Sequence, residues 1–211
     1  MKQQWKYLLM ALVAIAWIVI FPKWSNWVTE DPLDTPISLN PAGKIEQAID
    51  IRIPEKYELS LIFERSGQPF KKLKTLVGAI GLCQINEPCS KGVPVPIKWS
   101  LSDDKSGNNV VVGEIISQNA HGWSKDEVYR RVGFIQVKPG HYIFRAEIIQ
   151  SVPELESIKS RLAIKFRPKS SETWQIGLVW WGAIATYVIM WPIMLFSIAT
   201  IIWRILRPTN R

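Results

Sequence analysis

The sequence predicts an all-β, immunoglobulin-like antiparallel sandwich flanked by two transmembrane α-helices. Three observations lead there. The apolar residues crowd the two ends of the 211-residue chain, and all 18 acidic side chains lie between Glu30 and Glu172. The stretch between the ends repeats a period-two alternation of apolar and polar residues. The length accommodates one modest domain plus membrane segments, and the distribution excludes both a uniformly soluble domain and a disordered chain.

The first element, within residues 1–28, is WKYLLMALVAIAWIVIF from Trp5 to Phe21, with Lys2 before it and Lys6 at its start. A signal peptidase requires small residues just after such a run, whereas here Phe21, Pro22, Lys23 and Trp24 follow. The segment therefore reads as an uncleaved anchor, with Trp5, Tyr7, Trp24 and Trp27 at the two interfaces. The last long element, residues 174–203, carries no charge from Ile176 to Trp203. At about 1.5 Å per residue it exceeds a hydrocarbon core of about 30 Å, so tilt, or a kink at Pro192, is expected. Gly177, Gly182, Ala183 and Ala185 are either ordinary helix filler or a small-residue packing face. Arg204, Arg207 and Arg211 lie in the basic tail, residues 204–211. Positive charge outside both spans puts both termini in the cytoplasm and the middle domain in the periplasm of a bacterial inner membrane. Nine of the eleven Trp lie within or beside the spans, as interfacial anchors do.

Residues 29–173 form the middle domain. Alternation marks strands at Ile49–Ile53, Tyr57–Phe63, Val93–Leu101, Val110–Ile116, Val132–Val137, Tyr142–Ile148 and Leu162–Phe166, with a short one at Ile37–Leu39. Pro94 and Pro96 assign the third of these to a sheet edge. Seven or eight such strands between Gly, Pro, Asn and Asp turns make a sandwich. Phe70, Leu73, Leu76 and Val77 share one face of a short helix that Gly78 stops, and a further turn covers Pro153–Ser157. Pro139-Gly140 makes a hairpin, after which the Tyr142 hydroxyl is expected to tie down a neighbouring connection.

Charge and chemistry narrow the function. The middle segment from Pro22 to Thr173 holds 21 basic and 18 acidic residues, too balanced for a nucleic-acid partner. No phosphate loop, metal-ligand spacing or nucleophile motif occurs, so the chain reads as no enzyme, with no cofactor and no metal. Asp103-Asp104-Lys105-Ser106-Gly107-Asn108 has a Lys where a calcium loop needs an oxygen ligand and reads as a plain turn. Cys83 and Cys89, with five residues between them and on the oxidising side, are expected to form one disulfide. The candidate binding residues are His121, Trp123, Arg130 and Arg131, because aromatic and Arg side chains enrich interface cores. The competing reading makes Trp123 a plug at one end of the sandwich and pairs Arg130 and Arg131 with nearby acids.

The runs Leu39-Asn-Pro-Ala-Gly-Lys44, Ile51-x-Ile53-Pro-Glu-Lys-Tyr57-x-Leu59-x-Leu61-x-Phe63 and Leu73-x-x-Leu76-Val77-Gly78, with the later Val93-Pro-Val-Pro-Ile97 and Val137-Lys-Pro-Gly-x-Tyr142, carry a resemblance. Together they resemble an uncharacterised family of bacterial envelope β-sandwich domains over residues 37–166. The resemblance implies a small extracytoplasmic sandwich on a lipid or membrane anchor, some members being similar to immunity proteins. It supplies no catalytic residues. The expected partners are the lipid bilayer and a protein, either a toxin to be neutralised or a subunit of an inner-membrane complex that this chain assists.

Overall fold

A computed structural model describes residues 2–65, 70–78, 91–166 and 173–206. The chain divides into two compact units: a helical one, residues 1–30 with 172–211, and a β one, residues 31–171.

The helical unit has two segments long and apolar enough to cross a membrane. The first is α1 (Lys2–Thr29). The second runs through α3 (Trp174–Ala185), a π-helical turn (Thr186–Met190) and α4 (Trp191–Leu206), and Pro192 lies just past that turn. A hydrogen bond joins the two segments. The Trp17 indole donates Nε1–H to Thr186 Oγ1 at 2.8 Å, and that hydroxyl donates to the Gly182 carbonyl at 2.7 Å. Of the small residues, Gly182 is the packing position: a Cβ there would overlap the Phe21 ring, while the space beside Gly177 is open. Phe21 stacks on Trp17 with ring centroids 5.1 Å apart.

The β unit is a two-layer antiparallel sandwich. Its nine described strands are β1 (Leu33–Pro36), β2 (Lys44–Ile51), β3 (Lys56–Glu64), β4 (Val95–Asp103), β5 (Asn109–Ser117), β6 (Ala120–Trp123), β7 (Glu127–Gln136), β8 (Gly140–Ile148) and β9 (Ser160–Phe166). One sheet has the order β1-β9-β3-β7-β6 and the other β2-β8-β4-β5. Alternation does what the sequence anticipates in β2 and β8, where Ile45, Ile49 and Ile51 and Phe144, Ala146 and Ile148 are buried. β3 instead is buried on both faces, with Glu58, Ser60 and Ile62 covered as well as Leu59, Leu61 and Phe63. Helix α2 (Phe70–Val77) buries Leu73 and Val77 and ends at Gly78, whose φ of 79° is left-handed. A 3₁₀ turn at Pro153–Leu155 lies within the further turn expected over Pro153–Ser157.

Three expectations need correction. β4 is not an edge strand; it lies between β8 and β5. Its prolines are tolerated because Pro94 precedes the strand and the β8 ladder begins only at Ile97 opposite Ile148. Pro96 takes part as an acceptor, from the Ile149 amide at 2.9 Å. The first strand is Leu33–Pro36 rather than Ile37–Leu39, and Ile37 and Leu39 are buried in the connection that follows it. The candidate binding loop contains a strand of its own, β6, too short for alternation to reveal.

Two tyrosines lock the strand entrances. Tyr142 donates its hydroxyl to the Lys138 carbonyl at 2.8 Å, tying down the β7–β8 connection as anticipated, and Tyr57 does the same to Ile53 at 3.3 Å. At the centre the Trp99 indole lies across Gly113 of the adjacent strand and Gly133 of the facing sheet. A Cβ on Gly133 would lie 2.8 Å from the indole ring. Gly133→Ala is therefore expected to destabilise the domain by about 1–3 kcal/mol through overpacking, read as a lower urea midpoint with an unchanged slope.

The β4–β5 turn is a hydrogen-bonded loop. The Asp103 carboxylate accepts the Ser106 amide at 2.8 Å and the Lys105 amide at 3.0 Å, and these donors, Ser106 foremost, hold its pKa below the usual 3.8. Because the folded value is the lower one, the stabilisation is complete above pH 3.8 and fades as pH falls through the folded pKa. An NMR titration of the Asp103 carboxyl should place its midpoint below 3.8, and Asp103→Asn should flatten this part of the acid-stability profile.

Candidate protein-binding site

The registers define two ends of the sandwich. At one, Leu33 faces Ile164, Tyr57 faces Phe166, and Lys56 faces Gln136, so the chain enters and leaves the domain there. At the other, Pro36 faces Arg161, Phe63 faces Ser160 and Val128, and Glu64 faces Glu127. This second end, hereafter the rim, carries α2, the β6–β7 turn and the segment leading into β4.

Arg130 holds the rim from inside. Period-two alternation sends Arg130 and Arg131 to opposite faces of β7, and Arg130 faces the interior with 0% of its surface exposed. Its guanidinium lies over the Phe63 ring at 5.1 Å. It donates Nε–H to the Val77 carbonyl at 2.8 Å and Nη2–H to Leu76 at 3.0 Å, both at the C-terminus of α2. Nη1 donates to Val93 at 2.7 Å and to Ser117 at 3.0 Å. Among the described residues it has no carboxylate partner, contrary to the local-acid alternative. Burial lowers its pKa to about 10, which leaves it charged at neutral pH. A positive group at a helix C-terminus also complements the helix dipole.

Backbone bonds complete the clasp. The Val93 amide reaches Leu76 O at 2.8 Å, the Gly92 amide Gln118 O at 3.2 Å, and the Ala120 amide Gly78 O at 3.2 Å. Glycine is needed where these segments cross: a Cβ on Gly78 would lie 2.5 Å from the Gly92 nitrogen, and one on Gly92 would overlap the Arg130 guanidinium. Gly78 and Gly92 bracket the segment that contains Cys83 and Cys89. That expected disulfide lies outside the described residues.

The four candidate residues thus separate into three environments. Arg130 is internal and is not available to a partner. His121 and Arg131 meet on the outer face of the first sheet at Glu58, whose Oε1 is 2.5 Å from His121 Nε2 and 3.5 Å from Arg131 Nε and accepts the Ser60 hydroxyl at 3.1 Å. Arg131 also lies over the Phe134 ring at 5.0 Å. Trp123, on the outermost strand, is 54% exposed, so it does not plug the core. It borders an open groove of about 440 Å3 with Arg65, Ser124 and Lys125. The Arg65 amide donates to Asp126 O at 2.8 Å, which fixes the end of β3 to the β6–β7 turn. A second rim groove of about 370 Å3 is lined by Val93, Pro94, Pro96, Ile116 and Val152, among others. The sequence reading passed over Arg65 and this proline-rich groove, which only the tertiary fold brings to the rim. Among the described residues no three His, Cys, Asp or Glu side chains converge in a way that could hold a metal ion.

A family model described as a domain of unknown function, DUF5625, matches residues 34–166. The chain belongs to the DUF5625 family. No curated protein matches it in sequence. The DUF5625 domain is similar in fold to a solved protein of Sulfurospirillum deleyianum, GEBA250068378, at 20% identity and a TM-score of 0.50, over 64% of this chain and 97% of that one. A structure of infectious bursal disease virus, Gt strain, aligns at 10% identity and a TM-score of 0.28, over 68% of this chain and 31% of that one. That likeness is too low to inform the fold.

Truncating the clasp should be costly. Arg130→Ala is expected to destabilise the DUF5625 domain by about 3–5 kcal/mol, because carbonyls of three chain segments lose a charged donor inside the core. Arg130→Lys should recover little, since an ammonium cannot reproduce the planar fork. Urea unfolding of the detergent-solubilised chain measures both.

Proposed function

We propose that this protein is an inner-membrane immunity protein. Its two helices anchor it with both termini in the cytoplasm, and its immunoglobulin-like domain binds and neutralises a toxin in the periplasm. The observation that carries the reading is the half-exposed Trp123 at the end of the sandwich opposite the chain's entrance and exit. A large aromatic held on a short strand, next to Arg65 and Lys125, suits a pre-organised interface anchor. The topology rests on Lys2 and Lys6 at the outer end of the first span, on Arg204 at the outer end of the second, and on the confinement of all acidic residues between Glu30 and Glu172. The immunoglobulin-like assignment draws support from the tyrosine hook of Tyr142, in which a strand-opening hydroxyl bonds a carbonyl a few residues upstream. A binding role also suits the polar groups, since Arg130 serves backbone carbonyls and His121 and Arg131 share Glu58.

Deleting the chain should sensitise cells to a toxin encoded beside it. With that toxin purified, Trp123→Ala should weaken binding by at least about tenfold while the unfolding midpoint stays unchanged. A large fall in stability with affinity intact per folded molecule would overturn the role of Trp123. Co-purification with fixed membrane subunits in the absence of any toxin would instead make the chain an accessory subunit.

A further inference from the structure

Every sheet has two edges, and an edge with unpaired backbone groups invites another strand unless something defends it. Three of the four described edges are defended. β1 and β6 are four residues long, and β1 ends in Pro36. β2 carries Lys44, Glu46 and Asp50. β5 is different: it spans nine residues, Asn109–Ser117, with a single charge, Glu114, and no proline. Among the described residues it pairs along its length with β4 alone. On its outer face Val110, Val112 and Ile116 are 49%, 56% and 65% exposed.

The sheet also specifies what comes next. Across its outer face the register aligns Lys44, Glu147, Lys98 and Glu114 on four successive strands. Charge alternates along this row, with Lys44 Nζ 2.8 Å from Glu147. The row stops at the open edge on a negative charge, so a fifth strand would place its own residue opposite Glu114, where a cation continues the alternation.

We propose that β5 docks an extended strand of a partner protein, with aliphatic residues opposite Val110, Val112 and Ile116 and a Lys or Arg opposite Glu114. The inference rests on reading the domain as a protein-binding module, though not on the rim. A second copy of this chain is a poor occupant. Two β5 strands paired antiparallel would point the chain entrances and exits of the two sandwiches in opposite directions, against the common orientation that the proposed membrane anchoring imposes. Paired parallel, two free β5 edges would be related by rotation about the strand axis, which would continue the outer face of one sheet onto the buried face of the other.

The test uses the full chain in nanodiscs with two synthetic peptides, Ile-Thr-Val-Thr-Lys-Thr-Val-Thr-Ile and the same sequence with Glu replacing Lys. The Lys peptide should bind saturably and slow hydrogen exchange of the β5 amides, and the Glu peptide should bind about tenfold more weakly. Glu114→Lys should reverse that order, and N-methylating alternate peptide amides should abolish binding, because strand addition needs backbone donors. Absence of β5 protection, or binding indifferent to both Glu114→Lys and N-methylation, would overturn the proposal. Trp123→Ala should leave peptide binding intact. Failure of the edge and failure of the rim are therefore read separately.

Discussion

A buried guanidinium is tolerated only when hydrogen bonds replace its lost hydration, and Arg130 satisfies that requirement with backbone carbonyls. Carbonyls are fixed to the chain, so the requirement works in both directions. Arg130 stays charged inside the core because Leu76, Val77, Val93 and Ser117 converge on it, and those segments converge because Arg130 is there. The end of α2, the approach to β4 and the end of β5 become one structural element. The close approach of Gly78 and Gly92 at the rim depends on this.

The remainder of the domain provides a stiff frame for that clasp. Trp99 fills the space left by Gly113 and Gly133, linking a neighbouring strand and the facing sheet through one side chain. Tyr57 and Tyr142 fasten the strand entrances at the end remote from the rim. The rim can then display an aromatic without collapsing around it, because the ends of the β6–β7 hairpin are held by paired strands and by the Arg65 amide. In the helical unit the Trp17 indole, the Thr186 hydroxyl and Gly182 join the two apolar segments at one level, and Tyr7 against Phe196 and Arg204 joins them at another.

The distribution of charge separates the two kinds of surface. On the outer face of the β2-β8-β4-β5 sheet, Lys44 with Glu147 and Arg145 with Glu46 make exposed pairs that keep the face soluble and add little stability. Along β5 this alternation gives way to aliphatic side chains on either side of Glu114. Val112 and Ile116 are more than half exposed, so their apolar surface contributes little to the folded core.

The sequence by itself determined the features that local chemistry sets. Uncharged runs mark the two spans, alternation marks the long strands, and Phe70 to Gly78 announces a helix with its stop, because each signal lies within a few residues of what it specifies. Tertiary structure decided the rest. Pro94 and Pro96 look the same at the head of a central strand as on an edge, and only the β8 register shows which applies. Alternation places Arg130 and Arg131 on opposite faces of β7 without saying which face is inside. Which strand is left at an edge, and which aromatic at a rim, follows from pairings between residues far apart in the chain. Strand order is a long-range choice, made by packing after the local pattern has already been satisfied.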